Sequence, residues 1–410
     1  MDLFEYAKLH KVLCKGGGGN SADVRYVTFM NGETVLYIKP VAVGDDCVNV
    51  VTKGLVEAPT KESTPEYTYT YSGWSLTDGG TADSNALKSV TENRTVYASF
   101  TESVRNYTVN FYDGETLLNS VKVAYGGSYE YAYSKDNYLL TGWLPEPTNI
   151  TGDMDCYAQL EESYTFADAS WEYIADISAR GLASSAFALG DTKDVEVVDV
   201  AGRTHTLQFH IVGFNHDDLA DGSGKAGISI VSKDAFRPSS DHSNGDTKGF
   251  WRATSVVAHR FIGRAGWEAS EIRTGIQTTF MNGVPAALKN VIKEVTKQYD
   301  LNDGSTIYTC NDTVWIPSAT ELLGGGYYLR KYGTQYEYYA VADNRKKTTL
   351  NADGIASTTV NYGTRSACTY QASASSTYNV GVKGDTGEPL STSSGPNYRE
   401  MYYAPIGFCI

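Results

Sequence analysis

Hydrophobic and polar positions alternate along two stretches of this chain that match one another in order. Val27-Thr28-Phe29-Met30-Asn31-Gly32-Glu33-Thr34-Val35-Leu36 is answered by Val109-Asn110-Phe111-Tyr112-Asp113-Gly114-Glu115-Thr116-Leu117-Leu118. Each segment predicts two strands joined at an Asn-Gly or Asp-Gly turn. Gly73-Trp74 is then answered by Gly142-Trp143, and Val96-Tyr97-Ala98-Ser99-Phe100 by Cys156-Tyr157-Ala158-Gln159-Leu160. The first copy carries a longer middle section, Ala58 to Tyr71, rich in Thr and Tyr. The pattern predicts two β-rich modules, residues 21–103 and 104–163, with Trp74 and Trp143 as core anchors rather than ligand contacts. Ahead of them, Leu3, Tyr6, Leu9 and Leu13 share one face of a short helix over residues 2–14, ended by the glycines at 16–19. Residues 1–20 therefore read as a helix and a flexible hinge. A helix this short is marginal alone in water. Its apolar face either docks on copies of itself or a larger assembly, or packs back on the next module.

From about Tyr164 the pattern changes to α+β, giving a last domain over residues 164–410. Residues 205–214 and 228–231 read as strands. Trp267, Ile272, Ile276 and Phe280 fit one helix face, stopped by Asn282-Gly283. Pro285 suits the first turn of a second helix carrying Leu288, Val291, Ile292 and Val295 on one face. Trp315-Ile316-Pro317 reads as an apolar strand end, and Ser318-Ala319-Thr320-Glu321 as a capping box opening a short helix. Beyond Gly324 the chain predicts short strands and long Gly/Ser/Tyr loops. As a strand, Gln335–Tyr339 would put Tyr336 and Tyr338 on one side and Tyr339 on the other.

Composition narrows the classes of function. The chain has 410 residues, 41% hydrophobic and 20% charged, with a formal net charge of -14. That predicts two to four globular domains and argues against nucleic-acid binding, which needs clustered Lys and Arg. Arg345-Lys346-Lys347 is too short a basic run to change this. No stretch approaches the roughly 18 to 20 apolar residues that cross a bilayer. Met1 to Lys8 carries charges where a signal peptide needs apolar residues, so synthesis in a cytoplasm without a signal peptide is expected. Six scattered cysteines contain no Cys-x-x-Cys, which disfavours a disulfide scaffold or thiolate zinc site. Cys368 and Cys409 would pair only if the two final strands were neighbours. Asn-x-Thr sequons begin at Asn93, Asn106, Asn149 and Asn311 and matter only in a eukaryotic secretory host.

Little reaction chemistry stands out. His205, His210, His216, Asp217, Asp218 and Asp221 are the one grouping of metal-ligand residue types. His205 and His210 lie five apart on a strand and so face opposite sides, and the Asp217–Gly224 loop lacks EF-hand spacing. A solvated acidic turn is the preferred reading, with no metal and no cofactor. There is no Gly-x-Ser-x-Gly elbow, and nothing favours a paired-carboxylate hydrolase, so an enzyme is not expected.

The strongest functional signal is compositional. Residues 327–410 hold 12 of the 31 tyrosines, set among Ser, Thr, Asn, Gly and Ala. Tyr offers large amphipathic contact area at low entropic cost, and Ser, Asn and Gly add adaptable hydrogen bonding, as in paratopes. The candidate contact residues are Tyr370, Gln371, Ser373, Ser375, Ser376, Tyr378 and Asn379, followed by Asn397, Tyr398, Arg399 and Tyr402. Aromatic and Arg anchors would carry most of any binding energy. Arg365 reads instead as a structural ion-pair or capping residue.

Two resemblances add to this reading. Residues 24–161, through the strand–turn–strand openings, the Gly-Trp pairs and the closing Tyr-Ala strands, resemble Listeria–Bacteroides repeats, the B-repeats of internalin-type surface proteins. That resemblance implies small β-grasp or immunoglobulin-like spacer modules. Residues 170–410 resemble C-type-lectin-like domains common in prophages and gut phages. The stretches that carry the likeness are Phe187–Asp191, Gly213–Asp217, Trp267–Arg273, Val314–Ser318 with Glu321-Leu322, Thr364-Arg365-Ser366 and Pro405–Phe408. Relatives commonly place Trp before the Arg-Ser pair; here the aromatic is Tyr362. Some relatives are variable targets of diversity-generating retroelements, and residues 368–403 have a matching composition. Glu388-Pro389 is followed by Leu390 and no Trp-Asn-Asp follows, which disfavours calcium-dependent sugar binding. The formylglycine-generating relatives need paired cysteines, which are not evident here. The resemblances imply a bacteriophage virion protein on the particle surface, attached through its N-terminal helix to other virion proteins or sister copies. Its C-terminal face would hold a host cell-surface protein or glycan, and a homo-oligomer such as a trimer is expected. The rival is a structural decoration or fibre protein that uses the same domain for assembly.

Overall fold

The computed structural model describes residues 23–236, 239–240, 252–253, 266–300, 306–325, 332–350, 356–373, 376–389 and 403–410. For 239–240, 252–253, 350, 356–358, 367–373 and 376–380 the description covers the backbone alone. The expected helix over residues 2–14 lies outside the described residues. The chain divides into two compact units: Met1–Tyr133 with Gly142–Gln159, and Ser134–Thr141 with Leu160–Ile410.

The sequence repeat is a structural repeat. One sheet has the order β2-β1-β4-β3, from β1 (Val24–Asn31), β2 (Thr34–Ala42), β3 (Tyr67–Ser75) and β4 (Arg94–Val104). The other has the order β6-β5-β8-β7, from β5 (Asn106–Asp113), β6 (Thr116–Ala124), β7 (Tyr138–Leu144) and β8 (Met154–Glu162). Both hairpins slip register at the same place, between Phe29 and Met30 and between Phe111 and Tyr112. In both, the first strand runs parallel to the last, aligning Phe29 with Val96 and Phe111 with Cys156. Phe29 meets Trp74 edge-on at 4.7 Å, and Phe111 meets Trp143 at 4.8 Å. Each indole also donates inward, Trp74 to Asn49 Oδ1 and Trp143 to the Tyr131 carbonyl, so both tryptophans anchor the core as their pattern predicts. Gly73 and Gly142, just before them, have φ of 144° and 158°. An L-residue there would be strained.

The second unit is built on a five-stranded sheet of order β16-β21-β11-β10-β9. Its strands are β9 (Thr192–Val198), β10 (Thr204–Phe214), β11 (Ile228–Ser232), β16 (Val314–Trp315) and β21 (Gly407–Cys409). The C-terminal strand therefore lies inside the sheet. Ile228 and Ile410 exchange backbone hydrogen bonds beside it. A helix, Trp171–Ala179, is N-capped by Ser170 and buries Trp171, Ile174 and Ile177. The helical stretch Glu271–Gly275 continues through a π-helical turn, Ile276–Phe280, and buries Ile272, Ile276 and Phe280 beside the buried Trp267, as their spacing predicts. Smaller pairs complete the unit. They are β12 (Ser239–Ser240) with β13 (Arg252–Ala253), β14 (Val295–Asp300) with β15 (Ile307–Asp312), β17 (Thr348–Leu350) with β18 (Ala356–Thr359), and β19 (Tyr362–Ser373) with β20 (Ser376–Val382).

Two sequence expectations are corrected, and the condition for a cysteine pair is not met. The second helix is only Ala286–Lys289, and Val295 starts β14, where Val295, Lys297 and Tyr299 point inward with period two. Gln335–Tyr339 is not a strand. Glu337–Ala340 is a 3₁₀ turn, whose three-residue repeat buries Tyr336 and Tyr339 together and leaves Tyr338 partly exposed. Cys409 is a free, buried thiol: β21 lies between β11 and β16, whereas Cys368 stands opposite Tyr378 of β20, so the two final strands that carry cysteine are not neighbours. No helix among the described residues is long and apolar enough to cross a membrane.

Candidate functional site

The candidate contact residues divide by position. Tyr370, Gln371 and Ser373 lie on β19, and Ser376, Tyr378 and Asn379 on β20; the two strands form one antiparallel hairpin. Ser373 is opposite Ser376, Cys368 opposite Tyr378 and Ala367 opposite Asn379. Ser375, Asn397, Tyr398, Arg399 and Tyr402 lie outside the described residues.

The stem of that hairpin is fixed in the core. Tyr362, Gly363, Thr364, Arg365 and Ser366 are buried on β19, as are Gly381 and Val382 on β20. The Tyr362 hydroxyl donates to the Arg345 carbonyl at 2.6 Å, and the Gly363 amide donates to Tyr403. Ser366 Oγ accepts from the Ala319 amide and from the Tyr332 hydroxyl. Arg365 donates to the carbonyls of Ile316 and Gln298 and grips both carboxylate oxygens of Glu321 at 2.5 and 2.7 Å. Glu321 is also the closing residue of the capping box on Ala319–Leu323, accepting from the Ser318 amide while Ser318 Oγ accepts from its own. One carboxylate thus joins a helix start to the hairpin stem. Arg365 is the structural ion-pair residue that its sequence context indicated.

Behind this pair lies a second one that the sequence did not reveal. Lys297 Nζ donates to Asp217 Oδ1 at 2.5 Å and to the Tyr336 hydroxyl at 2.9 Å, and stands 3.4 Å from Glu321 Oε1. It also sits 3.5 Å from the ring centre of Trp315, a close cation–π contact. Asp217 further accepts from Tyr336 and Ser229. Burial pushes the Asp217 carboxyl up, and Lys297 and His216 together outweigh it and hold the group well below the usual carboxylate range. At Glu321, burial is likewise outweighed by Arg365 and then Lys297. Burial, then Asp217 and Glu321, drives the Tyr336 hydroxyl well above its ordinary value. Two cations and two anions therefore balance inside the core, where an unpaired charge costs several kcal/mol.

A third buried cation has weaker support. Lys347 is buried, donates to the Ser232 carbonyl at 2.6 Å and stands 3.5 Å from the Tyr339 hydroxyl, which also meets His210 Nε2. Burial brings its pKa down to about 7, against the opposing pull of Asp234. Between about 7 and the ordinary lysine value the unfolded chain holds the extra proton, so this group makes stability rise with pH, by about 1.4 kcal/mol per unit. Below about 7 both states are protonated and the full cost of burying the cation remains. Lys347→Met removes the dependence. Its stability relative to the natural chain should decline steadily from pH 7 to 9 in urea titrations; a constant difference across that range would contradict the assignment.

The histidine–aspartate grouping is dispersed. Asp199 takes His205 and Arg203, His210 faces Tyr338 and Tyr339, Asp217 takes Lys297 and has His216 Nδ1 3.5 Å away, Asp218 takes Lys225, and Asp221 takes Ser223. Among the described residues no group of three or more His, Cys, Asp or Glu is placed to hold a metal ion.

Residues 245–396 match a family described as a domain of unknown function (DUF6273), a stretch that includes Lys297, Glu321, Arg365 and the whole β19–β20 hairpin. No curated protein and no solved structure matches the chain.

Proposed function

We propose that the chain is a bacteriophage virion protein for host attachment, whose C-terminal unit presents the β19–β20 hairpin as its contact element. One observation carries this reading. A stem fixed by Arg365, Glu321, Tyr362 and Ser366 supports a hairpin whose remaining residues are rich in Tyr, Ser, Thr and Ala. A rigid base with an adaptable polar–aromatic end is the arrangement that binding loops on stable scaffolds use. The repeat modules would act as a spacer and residues 1–20 as the attachment to the particle or to sister copies. Multivalent display would make weak single contacts sufficient. The partner would be a host surface protein or glycan, and no catalytic step is involved.

The full chain, assayed against bacterial cells and glycan arrays, tests the proposal. The double variant Tyr370→Ala, Tyr378→Ala should bind about thirty-fold more weakly, the effect of losing about 2 kcal/mol at anchor positions, while its unfolding midpoint stays unchanged. Absence of binding to every host-derived surface, with particle-assembly contacts retained, would favour the rival role as a decoration or fibre protein.

A further inference from the structure

We propose that Lys297 and Asp217 become joined by an amide bond inside the folded chain, with Glu321 as the proton carrier. The three side chains are 1%, 5% and 5% exposed and come from segments far apart in sequence, Lys297 lying 80 residues from Asp217 and 24 from Glu321. Lys297 Nζ is 2.5 Å from Asp217 Oδ1, a direct ammonium–carboxylate hydrogen bond. The nucleophilic nitrogen is therefore in contact with the carboxyl group that it would attack. Such fixed proximity is worth effective molarities of about 10⁵ M or more.

The step balances with no added reagent. The Lys297 ammonium passes one proton across its contact to Asp217 Oδ1, and the freed lone pair attacks the now neutral carboxyl at Cγ. Charge then gathers on Oδ2, which is met by the hydroxyls of Tyr336 at 2.9 Å and Ser229 at 2.6 Å and by the Cys409 thiol at 3.2 Å. These donors stand where an oxyanion would form. The C–Oδ1 bond breaks as Glu321, whose Oε1 is 3.4 Å from Nζ, carries a second proton from nitrogen to that oxygen. One C–N bond forms, one C–O bond breaks, and one water leaves. Nothing is oxidised or reduced.

Charge balance favours the product. Ammonium and carboxylate vanish together, while Arg365 and Glu321 remain a neutral pair, so the buried charge falls by half without leaving any ion alone. Asp217 rather than Glu321 is the acyl partner because its oxygen is the one in contact with Nζ, at 2.5 Å against 3.4 Å. The apolar faces of Trp315 and Tyr336 around Nζ keep bulk water from the new bond.

The full-length chain, denatured and weighed by intact-protein mass spectrometry, should be one water lighter than its sequence. Digestion should yield a branched peptide containing both Asp217 and Lys297, with no tryptic cleavage after Lys297. A mass equal to the sequence, with the two segments recovered as separate peptides, would overturn the proposal. So would a water loss mapped elsewhere, for instance to a succinimide at Asp113-Gly114. Glu321→Gln, shown to be folded by near-ultraviolet circular dichroism, should retain the full mass. A folded Glu321→Gln chain that still links would remove Glu321 from the step, and should that variant not fold, the natural chain's own mass still decides.

Discussion

Arg365→Ala should lower the stability of the second unit by about 3–5 kcal/mol, the usual cost of removing one member of a buried ion pair. The loss has three parts. Glu321 keeps its charge in a site closed to water, the carbonyls of Ile316 and Gln298 lose their donor, and the β19 stem loses its tie to the capped turn at Ala319–Leu323. Arg365→Lys should recover only part of this, because a single ammonium cannot match the forked grip on both oxygens. Guanidinium titration followed by near-ultraviolet circular dichroism reads the result as a fall in midpoint. A midpoint within about 0.5 kcal/mol of the natural chain would mean that the pair is not what holds the hairpin base. The same variant should also weaken any attachment measured with the full chain, since the hairpin would lose its support before any contact residue is altered.

The second large effect concerns the repeats. Phe111→Ala should cost about 3–5 kcal/mol, as large-to-small changes at fully buried aromatic sites do. Phe111 is wholly buried and packs on Trp143, Tyr131 and Tyr129. A module with so small a core has little stability beyond that amount. Hydrogen exchange should show β5, β6 and β8 losing protection while β9, β10 and β11 keep theirs. Phe29→Ala should do the same to β1, β2 and β4, because Phe29 holds the equivalent place against Trp74. Uniform loss across both units would argue that they unfold as one body.

What could be read from the residues depended on how local each structure is. The repeats were legible because a turn glycine, a period-two pattern and a Gly-Trp pair all lie within short reach of one another. The Ser318–Glu321 capping box was legible for the same reason, and so was the structural character of Arg365. The buried network was not. Lys297 looks like the polar position of an edge strand, and its partners come from a loop before β11, a helix start and a 3₁₀ turn. One signal was available: Lys297 shares its face with Val295 and Tyr299, so alternation alone puts an ammonium into the core and demands an anion there. Tyr336 and Tyr339 misled for a related reason. A strand separates residues three apart onto opposite faces, whereas a 3₁₀ turn brings them together.

The parallel pairing of first and last strands in each module has a mechanical meaning. In the first module the chain enters β1 at one end of the sheet and leaves β4 at the other, with Val27 to Met30 aligned on Arg94 to Tyr97. The second repeats this between β5 and β8. A pull along the chain would therefore load those backbone bonds in shear, all together, instead of peeling them one at a time. Each repeat should thus yield at a higher force than a hairpin of equal stability.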